Sequence, residues 1–289
     1  KPTSQQSLAL ILIMSTLDRQ LLPMLQTIYE VSLLQPSTAY TLLISLITLT
    51  SDTSFARTTT QLVHGGASFH PATPLRLTRL SLSLSLVLLG VVDSADGSWI
   101  FEQLLTLISL ADLIAIALTR VALWNMTKHR VRAAYIEMLA FRHGAAGADA
   151  QLVALRQDLE LQRLCLATLV NVFPHCEDMH SYTAQRFVRL FEATSKRYNS
   201  ALQRAGGVIY INTPEACMYA EFMQYLIEAL HQSICNGINH KHRLIYALLY
   251  NKPLFTRYLA DPRFSALSRN IHVVCMPHSI DLLPRVCSS

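Results

Sequence analysis

The sequence predicts an all-α fold of stacked helical pairs, similar in architecture to armadillo or HEAT-type α-solenoids. Apolar residues recur at three- and four-residue steps through most of the chain, and short segments with Gly or Pro separate these stretches. Leu80–Leu86 alternates Leu with Ser, which is a strand period, but a lone strand among helices would leave its backbone groups without partners. No strict repeat is visible, so the pairwise stacking rests on helix lengths and loop positions.

Proline and glycine positions divide the first part of the chain. Two short helices are predicted over Ser7–Leu34, and a third over Ser37–Thr50 follows a proline, which restricts the residue before it. Residues Val63–Thr78 hold Gly and Pro without an apolar period, which predicts a loop insertion. A long helix from Trp99 to Trp124 and a separate helix over Thr127–Phe141 are expected next.

A helical hairpin over Leu159–Arg204 has the clearest pattern. Its first helix ends before Pro174, and its second begins near Ser181 and stops before Gly206. The residues predicted to be buried are Leu161, Leu164, Cys165, Leu169, Val172 and Phe173 in the first helix, and Phe187, Leu190, Phe191, Thr194, Tyr198 and Ala201 in the second.

The last helices follow a strong start signal at Thr213-Pro214-Glu215, which combines a hydroxyl cap, a proline at the first helical position and an acid at the positive helix end. A helix over Leu244–Tyr250 comes next, and from residue 272 the periodicity is lost. We therefore expect one solenoid segment over residues 1–289 with a divergent, poorly structured tail at 272–289.

The composition leaves two broad classes open. Of the 289 residues, 51% are hydrophobic and 15% charged, which suits either a membrane protein or a helical stack with covered inner helices. The apolar runs are short or carry acids such as Glu102 and Asp112, which disfavours spans. The net charge of +5 includes no Lys/Arg block, so nucleic acid is not indicated. Six dispersed cysteines fit reduced, cytosolic thiols.

No catalytic, cofactor or metal motif is found. The closest histidine pairs are His240 with His242 and His64 with His70, and neither has the further ligands that zinc needs. The usual hydrolase, phosphate-loop and dinucleotide fingerprints are missing together, so no enzyme activity, cofactor or small-molecule substrate is predicted. The acids on presumed helix surfaces are interpreted as solvated, namely Glu137, Asp158, Glu160, Asp178 and Glu192.

Two surface features suggest a function. Asn125-Met-Thr127 satisfies the glycosylation pattern, but a helix boundary capped by Thr127 is the preferred interpretation. Four arginines fall on one side of the second hairpin helix and could meet an acidic partner or anionic lipid heads, although a solvated face is the simpler alternative. This arginine stripe comprises Arg186, Arg189, Arg197 and Arg204.

Several segments resemble the dymeclin family in order and spacing. They include Cys165-Leu-Ala-Thr-Leu-Val-Asn, Met179-His-Ser-Tyr-Thr-Ala-Gln-Arg186, Leu244-Ile-Tyr-Ala-Leu-Leu-Tyr250 and Asp261-Pro-Arg-Phe264. Weaker matches lie at Pro23-Met-Leu and Phe55-Ala-Arg57, and a better one at Leu118-Thr-Arg120 with Trp124-Asn-Met-Thr127, so the resemblance touches most of the chain. On these segments the chain is identified as a fragment or a divergent, truncated member of that family.

The resemblance implies a peripheral Golgi-associated protein, cytoplasmic and shuttling to the Golgi, that acts in Golgi organisation and secretory vesicle traffic. Its implied partners are other proteins of the trafficking machinery and the membrane surface. The family's N-terminal lipidation signal has no match at Lys1. The alternatives are a multi-span integral membrane protein and a helical-repeat protein-binding module unrelated to the Golgi.

Overall fold

The computed structural model describes part of the chain. The described residues are 21, 24, 25, 27, 28, 36–52, 55, 109–143, 149–176, 178–204, 213–259, 261, 263, 264 and 271. The predicted loop over Val63–Thr78, the segment Leu80–Leu86, the tail from residue 272 and most of the predicted helices over Ser7–Leu34 lie outside these residues.

Helices and no strands are found in the part of the chain that the structure describes, which confirms the all-α prediction. The stacking of pairs into a solenoid stays a prediction. The helices are α1 (Pro36–Thr50), α2 (Leu110–His143), α3 (Asp149–Val172), α4 (Ser181–Arg204), α5 (Pro214–Cys235), α6 (His242–Tyr250) and α7 (Lys252–Thr256), with single 3-10 turns at Phe173–His175, Ile238–His240 and Arg257–Leu259.

The prediction of two separate helices, with a break between Trp124 and Thr127, is wrong, because α2 is a single helix. It runs unbroken past residue 125, and Thr127 lies inside it, where its hydroxyl donates to the Leu123 carbonyl four residues earlier at 3.1 Å. A threonine hydroxyl can satisfy itself in this way within a helix, so it does not mark a boundary. The described helix begins at Leu110, where the Ser109 hydroxyl accepts from the Asp112 N–H at 3.0 Å, and the predicted start at Trp99 lies outside the described residues.

The hairpin prediction is confirmed in its turn and its buried side, but the first helix begins at Asp149 and not at Leu159. Helix α3 ends at Val172 and α4 begins at Ser181, and all six residues predicted to be buried on α4 are buried. On α3 only Leu164 is half-buried instead of buried. In the turn after α3 the ring of Phe173 stacks on that of Phe187 on α4, with the ring centroids 4.2 Å apart.

The start of α5 is formed as the sequence predicts. The Thr213 hydroxyl accepts a hydrogen bond from the Ala216 N–H at 3.3 Å, and Pro214 is the first helical residue. This satisfies one of the N–H groups that every helix start leaves without an internal partner. Glu215 lies in the first turn, where the partial positive charge of the helix N-terminus favours its negative charge.

Helices α3 and α4 form the centre of the packing, and each of them contacts three other long helices. Helix α3 contacts α1, α2 and α5, while α4 contacts α2, α5 and α6. The middle of α2 meets the start of α3 through Asn125 and Asp158, and its start meets the hairpin turn through Asp112 and His180, so α2 and α3 run antiparallel. Arg163 on α3 binds Glu221 on α5 with two 3.0 Å hydrogen bonds, which fix the register of that pair.

One stretch of α2, Leu110–His129, is long and apolar enough to cross a bilayer by length and composition. About two thirds of its most apolar window (67%) is buried against other parts of the protein. Core helices that never enter a membrane meet the same criteria, because a helix covered on most sides is apolar on most sides.

Candidate interaction surface

The arginine stripe lies on one helix, α4, as predicted, but its four members have different surroundings. Arg189 and Arg204 are exposed, whereas Arg186 and Arg197 are half-buried. At 100° per residue, Arg186, Arg197 and Arg204 align within about 20° of one another, and Arg189 lies further round the helix. The aligned three follow the boundary between the buried and exposed sides of α4.

Arg186 is held by contacts within the protein. Its Nε donates to the Tyr182 hydroxyl at 3.0 Å, and its guanidinium lies 5.4 Å from the centre of the Tyr182 ring. Arg120 on α2 lies close enough to Arg186 for the charge of Arg186 to affect the pKa of Arg120. Burial, and then the charge of Arg186, lower the pKa of Arg120 to about 10, while the phenol of Tyr182 opposes this. Two cationic side chains thus share the contact between α2 and α4.

Arg204 closes the other end of the stripe. Its Nη2 lies 2.8 Å from Oε1 of Glu215 in the first turn of α5. Both side chains are largely exposed, so this ion pair contributes little to stability, in the range of about 0–1 kcal/mol. The role of the stripe as an interaction surface stays a prediction.

A buried polar junction lies where the start of α2 meets the hairpin turn. Asp112, which is 2% exposed, accepts hydrogen bonds from the Ser109 hydroxyl at 2.8 Å and the His180 N–H at 3.1 Å. His180 Nδ1 in turn accepts from the Tyr182 N–H at 3.2 Å, which requires that nitrogen to be unprotonated. Burial lowers the pKa of His180, against the opposing effect of Asp112, and supports that state.

Lys241 is the most unusual buried group among the described residues, with 1% exposure. Its ammonium donates to the Pro174 carbonyl at 2.6 Å, the Ser233 hydroxyl at 2.8 Å and the Phe173 carbonyl at 3.4 Å. It therefore joins the residue before α6 to the end of α3 and the end of α5. A cation is favoured there because the last carbonyls of a helix carry partial negative charge.

The interpretation of Asp158 as a solvated acid is wrong. Asp158 is 1% exposed, its carboxylate lies 3.4 Å from Lys128 Nζ, and its carbonyl accepts from the Asn125 side chain. The Asn125 amide also donates to Gln162 at 3.3 Å, and Asn125 is 1% exposed. Asn125 therefore packs inside the contact of α2 with α3, where a glycan does not fit.

The small cavity beside this polar contact offers no room for a metabolite. Its volume is about 10 Å³, which suits roughly one water molecule. It lies between α2, α3 and α5 and is lined in part by Asn125, Gln162 and Phe222. Nothing in its geometry suggests chemistry on a substrate.

Metal-ligating side chains do not gather in the described parts of the chain, where no group of three or more His, Cys, Asp or Glu is found. His240 and His242 are exposed and near the start of α6, and His64 and His70 lie outside the described residues. The thiols of Cys165 and Cys176 are fully buried, and burial raises the pKa of each, which keeps them protonated and unreactive.

Among the buried polar side chains that sequence reasoning missed are Asp112, Asp158 and Lys241. Asp112 has a local signal, because Ser109 three residues earlier forms with it the pattern of a capping box. Asp158 and Lys241 have none, since their partners lie in other helices.

Comparison with known proteins places these observations in a family. The family model described as "Dymeclin: Dyggve-Melchior-Clausen syndrome protein" matches residues 3–278. The chain is 26% identical to dymeclin of Rattus norvegicus over 278 residues, which is 92% of this chain and 33% of the relative. Dymeclin of Gallus gallus is also 26% identical, over 275 residues, 91% of this chain and 33% of the relative.

A more distant relative, dymeclin of Drosophila melanogaster, is 23% identical over 216 residues, 66% of this chain and 27% of the relative. No solved structure matches the chain. The chain spans about a third of the length of the curated vertebrate relatives it matches. Because the family model matches nearly the whole chain, the chain belongs to the dymeclin family.

Proposed function

We propose that this chain acts as a non-enzymatic scaffold in Golgi organisation and secretory vesicle traffic, through contacts with other proteins and with the membrane surface. Membership in the dymeclin family is the observation that carries the proposal. The helical packing is consistent with it, since stacked helices present long surfaces and few chemical pockets. The protein is proposed to be cytoplasmic and peripherally associated with the Golgi.

The arginine stripe is the proposed electrostatic part of this surface. Exposed charge contacts are screened over about 10 Å at 0.1 M salt, so an association that depends on them weakens as salt rises. The test changes exposed Arg189 and half-buried Arg197, and it leaves the contact of Arg186 with Tyr182 and the ion pair of Arg204 with Glu215 in place.

The test is the distribution of the fluorescently tagged chain in cultured cells. We expect the parent to colocalise with a Golgi marker and Arg189→Gln/Arg197→Gln to do so less. A matched control, Arg156→Gln/Lys196→Gln, removes two exposed charges from other positions on α3 and α4 and should behave as the parent. If the parent itself is not enriched at the Golgi, the proposed function is wrong. If the parent is enriched at the Golgi and the Arg189→Gln/Arg197→Gln variant is enriched equally, the stripe is a solvated face.

The apolar stretch Leu110–His129 favours one alternative, an integral membrane protein. Alkaline carbonate extraction of membranes from the same cells separates the two functions. A peripheral scaffold is released by this treatment, because its attachment does not depend on a hydrocarbon-spanning segment. Retention in the pellet would support the integral alternative.

A further inference from the structure

Positive charge is concentrated in one part of the chain. Residues 229–280 contain six Lys or Arg and a single acid, Asp261, an excess of five that equals the net charge of the whole chain. Lys241 and Asp261 are both buried, Asp261 with the Tyr198 hydroxyl donating to it at 2.9 Å, so neither of them contributes to the surface charge. Arg243 and Arg257 are exposed, and Lys252 is half-exposed. The segment from α6 to the 3-10 turn after α7 therefore places three positive side chains at the surface.

Helix α6 carries apolar residues on the side that faces away from the protein. Leu244, Ala247 and Leu248 are buried, and α4 is the long helix that α6 contacts. On the opposite side Tyr246, Leu249 and Tyr250 are 71%, 44% and 80% exposed. These three and Arg243, at spacings of three, four and seven residues, form a continuous strip that we name the outer face of α6.

We propose that the outer face of α6 is a contact surface for an anionic lipid bilayer. Tyrosine rings favour the headgroup level of a membrane, because one end of the ring is apolar and the other forms hydrogen bonds. Arg243 at the start of the strip pairs with lipid phosphates, and the other cations of the region strengthen the attraction to a negative surface. The inference rests on the proposed function only in choosing a membrane as the surface.

The shape of the strip favours a bilayer over a protein partner. Side chains that are 71–80% exposed protrude from a convex helix and do not line a groove. Their exposed area is of the order of a few hundred Å², whereas a stable protein interface buries about 800 Å² on each partner. A bilayer needs no shape complementarity, and its contact adds apolar insertion to charge attraction.

The experiment is sedimentation of the purified full chain with lipid vesicles. We expect binding to phosphatidylcholine vesicles with about 30% phosphatidylserine at low salt, and much weaker binding to phosphatidylcholine alone. Tyr246→Ser/Tyr250→Ser should weaken binding about tenfold, since two apolar insertions are lost. Arg243→Gln should weaken it by roughly fivefold, the effect of one cation near an anionic surface.

Two matched variants control for loss of apolar surface and of charge elsewhere. Tyr40→Ser/Ile44→Ser removes two side chains that are 40% and 41% exposed on α1, and Lys196→Gln removes an exposed cation on α4. Both should bind as the parent does. Helical circular dichroism must be the same for all variants, which is expected because none of these side chains is buried.

The proposal would be overturned by no binding to anionic vesicles, by equal binding of the tyrosine variant and the parent, or by an equal loss of binding in the α1 control. Vesicle-independent dimerisation that the tyrosine variant abolishes would assign the face to a second copy and overturn it as well. The assay contains no Golgi component. Absence of vesicle binding with normal Golgi enrichment would therefore refute this surface alone, and vesicle binding without Golgi enrichment would refute the proposed function alone.

Discussion

Replacing Lys241 with methionine tests whether its buried ammonium stabilises the fold. Methionine has a similar length and no charge. The substitution removes the donor to the Pro174 carbonyl at 2.6 Å and to the Ser233 hydroxyl at 2.8 Å. The Phe173 carbonyl keeps the Cys176 N–H at 3.3 Å and the Ser233 hydroxyl at 3.4 Å, so it stays satisfied. The Pro174 carbonyl is the group that loses its described donor.

The magnitude follows from these contacts. A hydrogen bond from a charged donor contributes about 1.5–3 kcal/mol, and a buried carbonyl left unpaired costs about 1–3 kcal/mol. Removing the ammonium also recovers part of the free energy spent in taking it out of water. We expect a net loss of about 2–3 kcal/mol in the free energy of unfolding, measured by urea denaturation.

The control for this substitution is Lys196→Met on α4. The Lys196 side chain is 74% exposed and pairs with Glu192, so its replacement should change stability by less than about 0.5 kcal/mol. A Lys241→Met variant that is as stable as the parent, or more stable, would refute the reasoning. It would mean that desolvation of the ammonium outweighs its three hydrogen bonds.

Three further predictions concern other side chains. Leu190→Ala should cost about 2–5 kcal/mol in urea denaturation, because Leu190 is fully buried, and a cost below about 1 kcal/mol would contradict its place in the core. Burial lowers the pKa of His180, so as the pH falls the unfolded state binds the proton before the folded state does. The contribution of His180 to the free energy of unfolding should be complete above about pH 6.5 and decline as the pH falls towards the folded pKa. In urea denaturation at several pH values, His180→Asn should weaken this decline. In the folded protein iodoacetamide should modify exposed Cys217 far faster than buried Cys176, as followed by peptide mass spectrometry, and similar rates would show that Cys176 is accessible.

The features that the sequence predicted well depend on neighbouring residues. The buried stripe of α4 repeats at helical spacing along one segment, and the cap at Thr213 involves residues three positions apart. Local spacing also placed the arginine stripe on one helix. It could not show that Arg186 lies against Tyr182, since the rotamers of long side chains depend on what packs beside them.

The features that it did not predict depend on contacts between distant segments. Lys241 meets the Pro174 carbonyl across 67 residues of chain, and Asn125 meets the Asp158 carbonyl across 33. Charged and amide residues are usually solvated, so composition favours the wrong environment for both Lys241 and Asp158. The unbroken course of α2 was missed for a different reason: Thr127 is compatible with either a cap or a helix interior.

The burial of Asn125 makes sugar attachment and the native fold mutually exclusive at this position. An oligosaccharide needs the Asn125 amide nitrogen, which in the folded protein donates to Asp158 inside the contact of α2 with α3. Any molecule that carried a glycan there would have been modified before these two helices met, and could not bring them together afterwards. A sugar at Asn125 would therefore identify chains that encountered the glycosylation machinery while they were still unfolded.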